Sequence, residues 1–363
     1  MGGTPVTRLL GSFSLAGLLL LSSCGGGGGG GGGSSLPSIP FTPPASSGVS
    51  VATTTKANDI AVDPSNNVWV VVTSGVMEIP KSATSCATTA ECPIVSLTFT
   101  PAGITADGSG NIWVTNTSSD EVTEIKPGAT SCTTFSGSSY FSSPVGIAAD
   151  SSNNIWVTDD TSPGSVTEIT TTAISNKSCF SSSCPTFLSY FSSPVGIAAD
   201  GSGNIWVTNT SSGSVTEISS TASSCSSSAA CTTYTGFSNP VAVAVATSGG
   251  GVPWVANSGS GTYPPGVVAM NLTYCLQSED CPEITGFTTP VGLAFDSSSN
   301  LWVIDAGTSK AVEITASAIS AESCKHDPCY QYSLPAGPLG IATDKLGNIW
   351  ITLQNGQIVK YTP

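Results

Sequence analysis

The chain has 363 residues, a formal net charge of −14 and only 9% charged residues. With 39% hydrophobic residues it is not held unfolded by charge excess. Its acidity disfavours nucleic acid and anionic membrane surfaces, which both call for clustered Lys and Arg. Gly (40) and Pro (24) are abundant, which suits short strands and tight turns better than long helices.

At the N-terminus, Arg8 precedes an apolar run from Leu9 to Leu21, too short to cross a bilayer as a helix. The run ends in Leu21-Ser22-Ser23-Cys24. This stretch resembles the lipobox of bacterial lipoproteins, with small residues before the cleavage point and Cys after it. The resemblance implies a signal peptide over 1–23 and a lipid-modified Cys24 as first residue of the mature chain. Gly25 stands where a retention signal would have Asp, so the implied address is the cell envelope, in the outer membrane. Residues 25–33 are all Gly, and Pro/Ser-rich sequence continues to Gly48. Residues 24–48 are expected to be a flexible, unfolded tether with a mean reach of about 25–30 Å.

From residue 49 onward one phrase repeats. It reads PAGITADGSGNIWVTN at 101–116, PVGIAADSSNNIWVTD at 144–159 and PVGIAADGSGNIWVTN at 194–209. It returns as PVGLAFDSSSNLWVID at 290–305 and PLGIATDKLGNIWITL at 338–353, with weaker copies at 58–73 and 240–257. All seven Trp lie in it: Trp69, Trp113, Trp156, Trp206, Trp254, Trp302 and Trp350, spaced 43 to 50 residues apart. Each unit holds four short β-type runs and no helical period. A period of about 45 residues with four strands is the signature of a propeller blade. The middle run is apolar at successive positions, as expected of a strand covered on both faces. The predicted fold is all-β: a seven-bladed β-propeller of four-stranded antiparallel blades over 49–363. The last unit has three runs, so Val49-Ser50-Val51 is expected to supply its outer strand and close the ring.

The phrase Pro-x-Gly-Ile-Ala-x-Asp followed by Gly-Asn-Ile-Trp-Val resembles the NHL-repeat and virginiamycin B lyase-like propellers over essentially all of 49–363. In the lyases the resemblance places a catalytic His at x of Pro-x-Gly and a catalytic Glu fourteen residues later. Here Ala102, Val145, Val195, Ala242, Val291 and Leu339 fall at the first place, and Asn116, Asp159, Asn209, Asp305 and Leu353 at the second. No unit carries the general base that proton abstraction requires.

Other candidate groups read as structural. Asp and Asn recur four apart, as in Asp107/Asn111. One carboxylate per loop is too few for calcium, which takes six or more oxygens, so hairpin turns with Asx-type hydrogen bonds are expected. Cys86/Cys92, Cys179/Cys184, Cys225/Cys231, Cys275/Cys281 and Cys324/Cys329 are close pairs at one place in their units. In an exported chain with a single His they predict five local disulfides rather than zinc. Cys132 holds the same place in the second unit without a nearby second Cys and is expected to be free or paired with another molecule. The recurring Glu78, Glu124, Glu168, Glu217 and Glu313 are expected to be structural or solvent-facing, and His326, in a Cys loop, to lie far from any pocket.

Strand alternation places the loops after the WVT runs and those leading into the PVG runs on one face, around the channel mouth. Asn116, Asp159, Asn209, Asn257, Tyr263 and Asp305 are the expected ligand contacts there. The sequence asks for no cofactor and no metal. It predicts a monomer held to a membrane by its lipid anchor, a module binding a protein, glycan or small ligand. The competing readings are a metal-dependent envelope lyase or lactonase using Asp159 or Asp305, and a purely structural wall component.

Overall fold

The repeated Trp sits at the centre of the middle strand of every blade, and its surroundings explain the architecture. The computed structural model describes residues 34–35, 49–52, 57–73, 75–83, 86, 91–128, 132–180, 182–246, 251–259, 264–270, 282–320 and 329–362. Seven antiparallel sheets follow one another along the chain. The third blade is typical, with strands Pro144–Ala149, Ile155–Asp159, Ser165–Ile169 and Thr186–Phe187 running from the axis outward. As expected, the strand Val49–Ala52 pairs antiparallel with Gln357–Tyr361 and completes the seventh blade. The fifth blade departs from the four-stranded plan. Ser34–Ser35, inside the expected tether, pairs parallel with its outer strand Glu283–Thr285 and makes a fifth strand.

Every middle strand is buried along its whole length, for instance Ile112–Asn116 and Ile205–Asn209. Alternation of side chains across a strand explains why both parities are apolar. Ile112 and Val114 pack with Trp69 of the preceding blade, whereas Trp113 packs with Ile155 and Val157 of the following one. Seven hydrophobic clusters arise in this way among the described residues, one at each blade junction, and each holds one Trp. The core is therefore a ring of seven wedges.

The indole N–H at each wedge needs an acceptor, because a buried unpaired donor costs about 1–3 kcal/mol. The Asp six residues earlier supplies it. In the second blade Asp107 Oδ2 accepts from Trp113 Nε1 at 3.0 Å and from Asn111 Nδ2 at 2.8 Å. Its Oδ1 accepts the backbone N–H groups of Ser109 and Asn111, both at 2.9 Å. The same four bonds recur at Asp63, Asp150, Asp200, Asp296 and Asp344. The Asp–Asn turns are thus hairpin knots, as their spacing suggested, with the Trp as an added partner. The fifth blade has Ala246 at the Asp position.

The recurring Glu lies opposite the Trp in register, as in Trp156 with Glu168. Burial, reinforced by Asp150, pushes the Glu168 carboxyl up to about 7. Burial alone does the same to Glu283. Burial also raises Glu78, Glu124, Glu217 and Glu313 above the ordinary carboxylate range. Glu217 and Glu313 accept from Tyr234 and Tyr332 hydroxyls at 3.1 and 2.8 Å. Glu124 has Lys126 Nζ at 3.6 Å. In the seventh blade Lys360 replaces the Glu and sets its Nζ 4.9 Å from the Trp350 ring centroid.

Three of the expected disulfides are formed: Cys86–Cys92, Cys179–Cys184 and Cys225–Cys231. Cys329 is disulfide-bonded as well. Cys275, Cys281, Cys324 and His326 lie outside the described residues, as do Cys24 and Tyr263. Cys132 is free and exposed. Its neighbour Thr133 pairs with Glu124, which sets Cys132 opposite Ile125, where Cys231 stands opposite Ile218 in the fourth blade.

Two outcomes follow from these contacts. Asp107→Ala strands an indole, an amide and two backbone donors, and is expected to cost about 3 kcal/mol or more. A urea titration reads this as a lower midpoint at unchanged slope. An unchanged midpoint would contradict the knot. The raised glutamates set the second. A carboxyl that binds its proton more tightly when folded stabilises the fold below its unfolded pKa, and that stability fades as pH rises through the folded value. Melting temperature should therefore fall between about pH 5 and pH 8, and calorimetry across that window checks it; a rise would reject the burial argument.

Candidate functional site

The face opposite the Asp–Asn turns carries two kinds of loop: those leading into each inner strand and those joining each middle strand to the third. At the end of the middle strands stand the residues expected to contact ligand. The structure brings all five described ones to this face, and buries them. Asn116, Asp159, Asn209, Asn257 and Asp305 are each no more than 2% exposed.

Their polar atoms hold the loops. Asp159 accepts from Ser142 N at 2.9 Å and, in a bond of 2.6 Å, from Ser165 Oγ. Asn209 accepts from Ser192 N at 3.3 Å and donates to Thr216 Oγ1 at 2.9 Å. Asn257 accepts from Ser238 N at 2.7 Å. Asp305 accepts from the N–H groups of Thr288, Thr289 and Gly307 and from the Thr308 hydroxyl, all within 3.1 Å. Asn116 accepts from Ser118 N and Oγ. In four blades, then, the lead-in loop hangs its backbone on the side chain ending the middle strand of its blade. Burial, with Asp120 nearby, lifts the Asp159 carboxyl to about 6, against the opposing pull of its Ser165 and Ser142 bonds. What solvent meets at this face is the rim, including Thr117, Ser118, Ser211, Ser212, Thr308 and Asn355. It is a surface mainly of hydroxyls and amides, with the Asp160 carboxylate also exposed.

Inside the rim lies a channel. The inner strands are partly exposed, whereas the middle strands beside them are sealed. A ring of innermost strands can meet solvent only toward its axis. In most blades a Pro-x-Gly step bulges there, seen as a register shift between Pro144 and Ile147. Glycine is needed because the next blade comes close. A Cβ on Gly146 would strike Val195 O of the fourth blade and stand 2.7 Å from Thr158 Oγ1. That threonine ties the blades: Gly146 N donates to Thr158 Oγ1 at 2.9 Å, and the hydroxyl donates to Val195 O at 3.2 Å. Thr115 repeats the clasp between the second and third blades.

The first blade breaks this pattern. Asn58-Asp59 replaces x-Gly, and Val71 replaces the clasping Thr. Asp59 Oδ1 accepts from Ile60 N at 2.9 Å, and Oδ2 reaches the second blade to accept from Ile104 N at 3.2 Å. Asp59 is partly exposed, yet desolvation by the atoms around it lifts its carboxyl to about 6. Sequence reading missed this residue. The signal was present in the weak first copy: aligning 57–63 with 144–150 sets Asp59 under Gly146.

The positions at which the lyases carry His are, by strand register, Asn58, Ala102, Val145, Val195, Val241, Val291 and Leu339. Val241 corrects Ala242, which the register with Ala256 places at the Gly position of the fifth blade. All seven are partly exposed, and none can act as a base. Among the described residues no group of three or more His, Cys, Asp or Glu is placed to hold a metal ion. Asp159 and Asp305 lie in the third and sixth blades, each bonded to loops of its own blade.

No protein-family model and no curated protein matches the sequence. Solved structures do. A streptogramin B lyase superposes with a TM-score of 0.67 at 16% identity, covering 87% of this chain and 97% of the other. The selenomethionine-substituted virginiamycin B lyase of Staphylococcus aureus gives the same score and identity over 87% and 99%. Hydrazine synthase of Kuenenia stuttgartiensis matches with a TM-score of 0.66 at 12% identity, over 86% and 97%. Blade number, strand order and these superpositions agree: the chain has the seven-bladed propeller fold that the virginiamycin B lyases have.

Proposed function

We propose that this protein is an exported, lipid-anchored propeller that binds a partner or ligand at its channel mouth and performs no chemistry of its own. The observation that carries the reading is the fate of the lyase positions. One ring is Asn, Ala, Val or Leu; the other has amides and carboxylates spent on loops in five blades and the aliphatic Val72 and Leu353 in the remaining two. What is left facing solvent is a hydroxyl-rich rim around a mostly apolar channel, a surface suited to recognition. The Leu21-Ser22-Ser23-Cys24 stretch supports the anchor, and the formed disulfides are consistent with an oxidising compartment.

Quinupristin, present with a catalytically inactive virginiamycin B lyase of Staphylococcus aureus in one of the similar solved structures, supplies the first test. Incubated with it and a divalent cation, the purified protein is expected to give no product above the buffer control by mass spectrometry. Turnover would overturn the non-enzymatic reading. Binding is tested by photo-crosslinking in the native host. A probe replacing the exposed Ser211 at the mouth is expected to trap a discrete species. A probe replacing the exposed Ser228 on the opposite face is expected not to. Equal trapping from both faces would remove the mouth as the recognition surface.

A further inference from the structure

We infer that the channel holds a binding site for an organic ammonium group, built on Asp59 with Asn58 beside it. The inference rests on the binding-module reading and names the ligand class that the module would take.

Among the described residues the rest of the channel wall carries no charge. The inner strands of the seven blades are ANDIAV, ITA, PVGIAA, PVGIAA, PVAVAV, PVGLAF and PLGIAT. Asp59 is the sole ionisable residue in them and Asn58 the sole amide. In five other blades the Asp59 place is glycine, so the wall there is bare backbone. Near-identical blades cannot make a unique site; a substitution in one blade can.

The side chain lies along the wall. A Cβ on Gly340 of the seventh blade would stand 3.0 Å from Asp59 Oδ1, while Oδ2 reaches Ile104 N of the second blade. The carboxylate therefore sits in the space left by the missing side chain of the seventh blade and bridges to the backbone of the second. Each oxygen accepts one backbone N–H. A carboxylate offers about four lone-pair sites, so about half remain for a ligand. No titratable group on the inner strands of the first, second or seventh blade faces it, and no cation stands among the causes that set its protonation. Among the described residues the negative charge is met by hydrogen bonds and by no counter-charge. In a partly desolvated channel such a charge attracts a cation strongly. An ammonium with an alkyl body satisfies both parts of the site: N–H donors for Asp59 and Asn58, and an apolar stem for Ala102 and Leu339 of the neighbouring blades.

The hydroxyl clasp offers an alternative origin for the substitution. Val71 cannot tie the first blade to the second, and Asp59 does so through Ile104. A purely structural latch, however, predicts no ligand.

The experiment is saturation-transfer NMR with n-butylammonium on the full folded chain, at constant ionic strength, with butan-1-ol as the neutral control. Saturable binding of the ammonium and not the alcohol is expected at about pH 7.5, weakened about tenfold near pH 5, where a carboxyl titrating near 6 is mostly protonated. Asp59→Asn keeps the shape and should lower affinity at least about tenfold, the loss of one charge-assisted contact. Asp59→Gly installs the residue of the other blades and should abolish binding; it keeps the test open if the Asn variant does not fold. Equal binding by wild type and either folded variant, or no saturable binding, overturns the inference. If the mouth probe still traps a species in that case, the binding-module reading stands and only the ligand class falls.

Discussion

The structure depends on one repeated bond set: a buried Asp carboxylate that holds its own turn, an Asn amide and the indole N–H of the Trp six residues on. A wedge between two sheets excludes water, so a Trp can plug it only if its N–H finds an acceptor. A carboxylate can take that place only if its charge is met by several donors. Each requirement answers the other, with four N–H bonds gathered on one side chain. Because all the partners lie within seven residues of chain, the arrangement can be copied without reference to the rest of the ring. Repetition of the motif then becomes repetition of the blade.

That locality is why the fold was legible in the sequence. The Trp spacing, the four runs per unit and the orphan third run at the C-terminus together specify seven blades closed by an N-terminal strand, which Val49–Ala52 provides. The close Cys pairs were legible for the same reason. The mouth was less so. Asn116, Asp159, Asn209, Asn257 and Asp305 were placed on the correct face but expected to meet ligand. Their burial comes from lead-in loops whose N–H groups have no strand partner, a requirement set by tertiary contact that strand alternation does not show. One signal was available. A polar residue repeated at one position in five blades argues for a repeated duty, as it did for the glutamates opposite the Trp.

Asp59 was invisible for the opposite reason: it occurs once, in the copy that least resembles the others. Strand register aligns that copy, and only then does a carboxylate appear where neighbouring blades need glycine. The same register moved the fifth-blade position from Ala242 to Val241. Departures from a repeat carry information that the repeat itself cannot, and here they appear once the strands are paired.

The division of labour between blades follows. Six blades satisfy the knot and four keep a Thr one residue before the end of the middle strand; these determine shape and are nearly interchangeable, as the shared DGSGNIWVTNTSS of 107–119 and 200–212 illustrates. A channel walled by the backbones of interchangeable blades is almost featureless, which makes it sensitive to a single change. A side chain at a glycine position must fit beside the backbone of the next blade; in the first blade Val71 leaves out the clasping hydroxyl, and the Asp59 carboxylate bonds Ile104 N instead. The two N–H groups that Asp59 recruits offset enough of its desolvation to keep it in place. They also leave the first blade tied to the second where its threonine clasp is missing. A near-symmetrical ring can in this way acquire a polar centre through one substitution, at the blade next to its own closure, without altering the knots that hold it together.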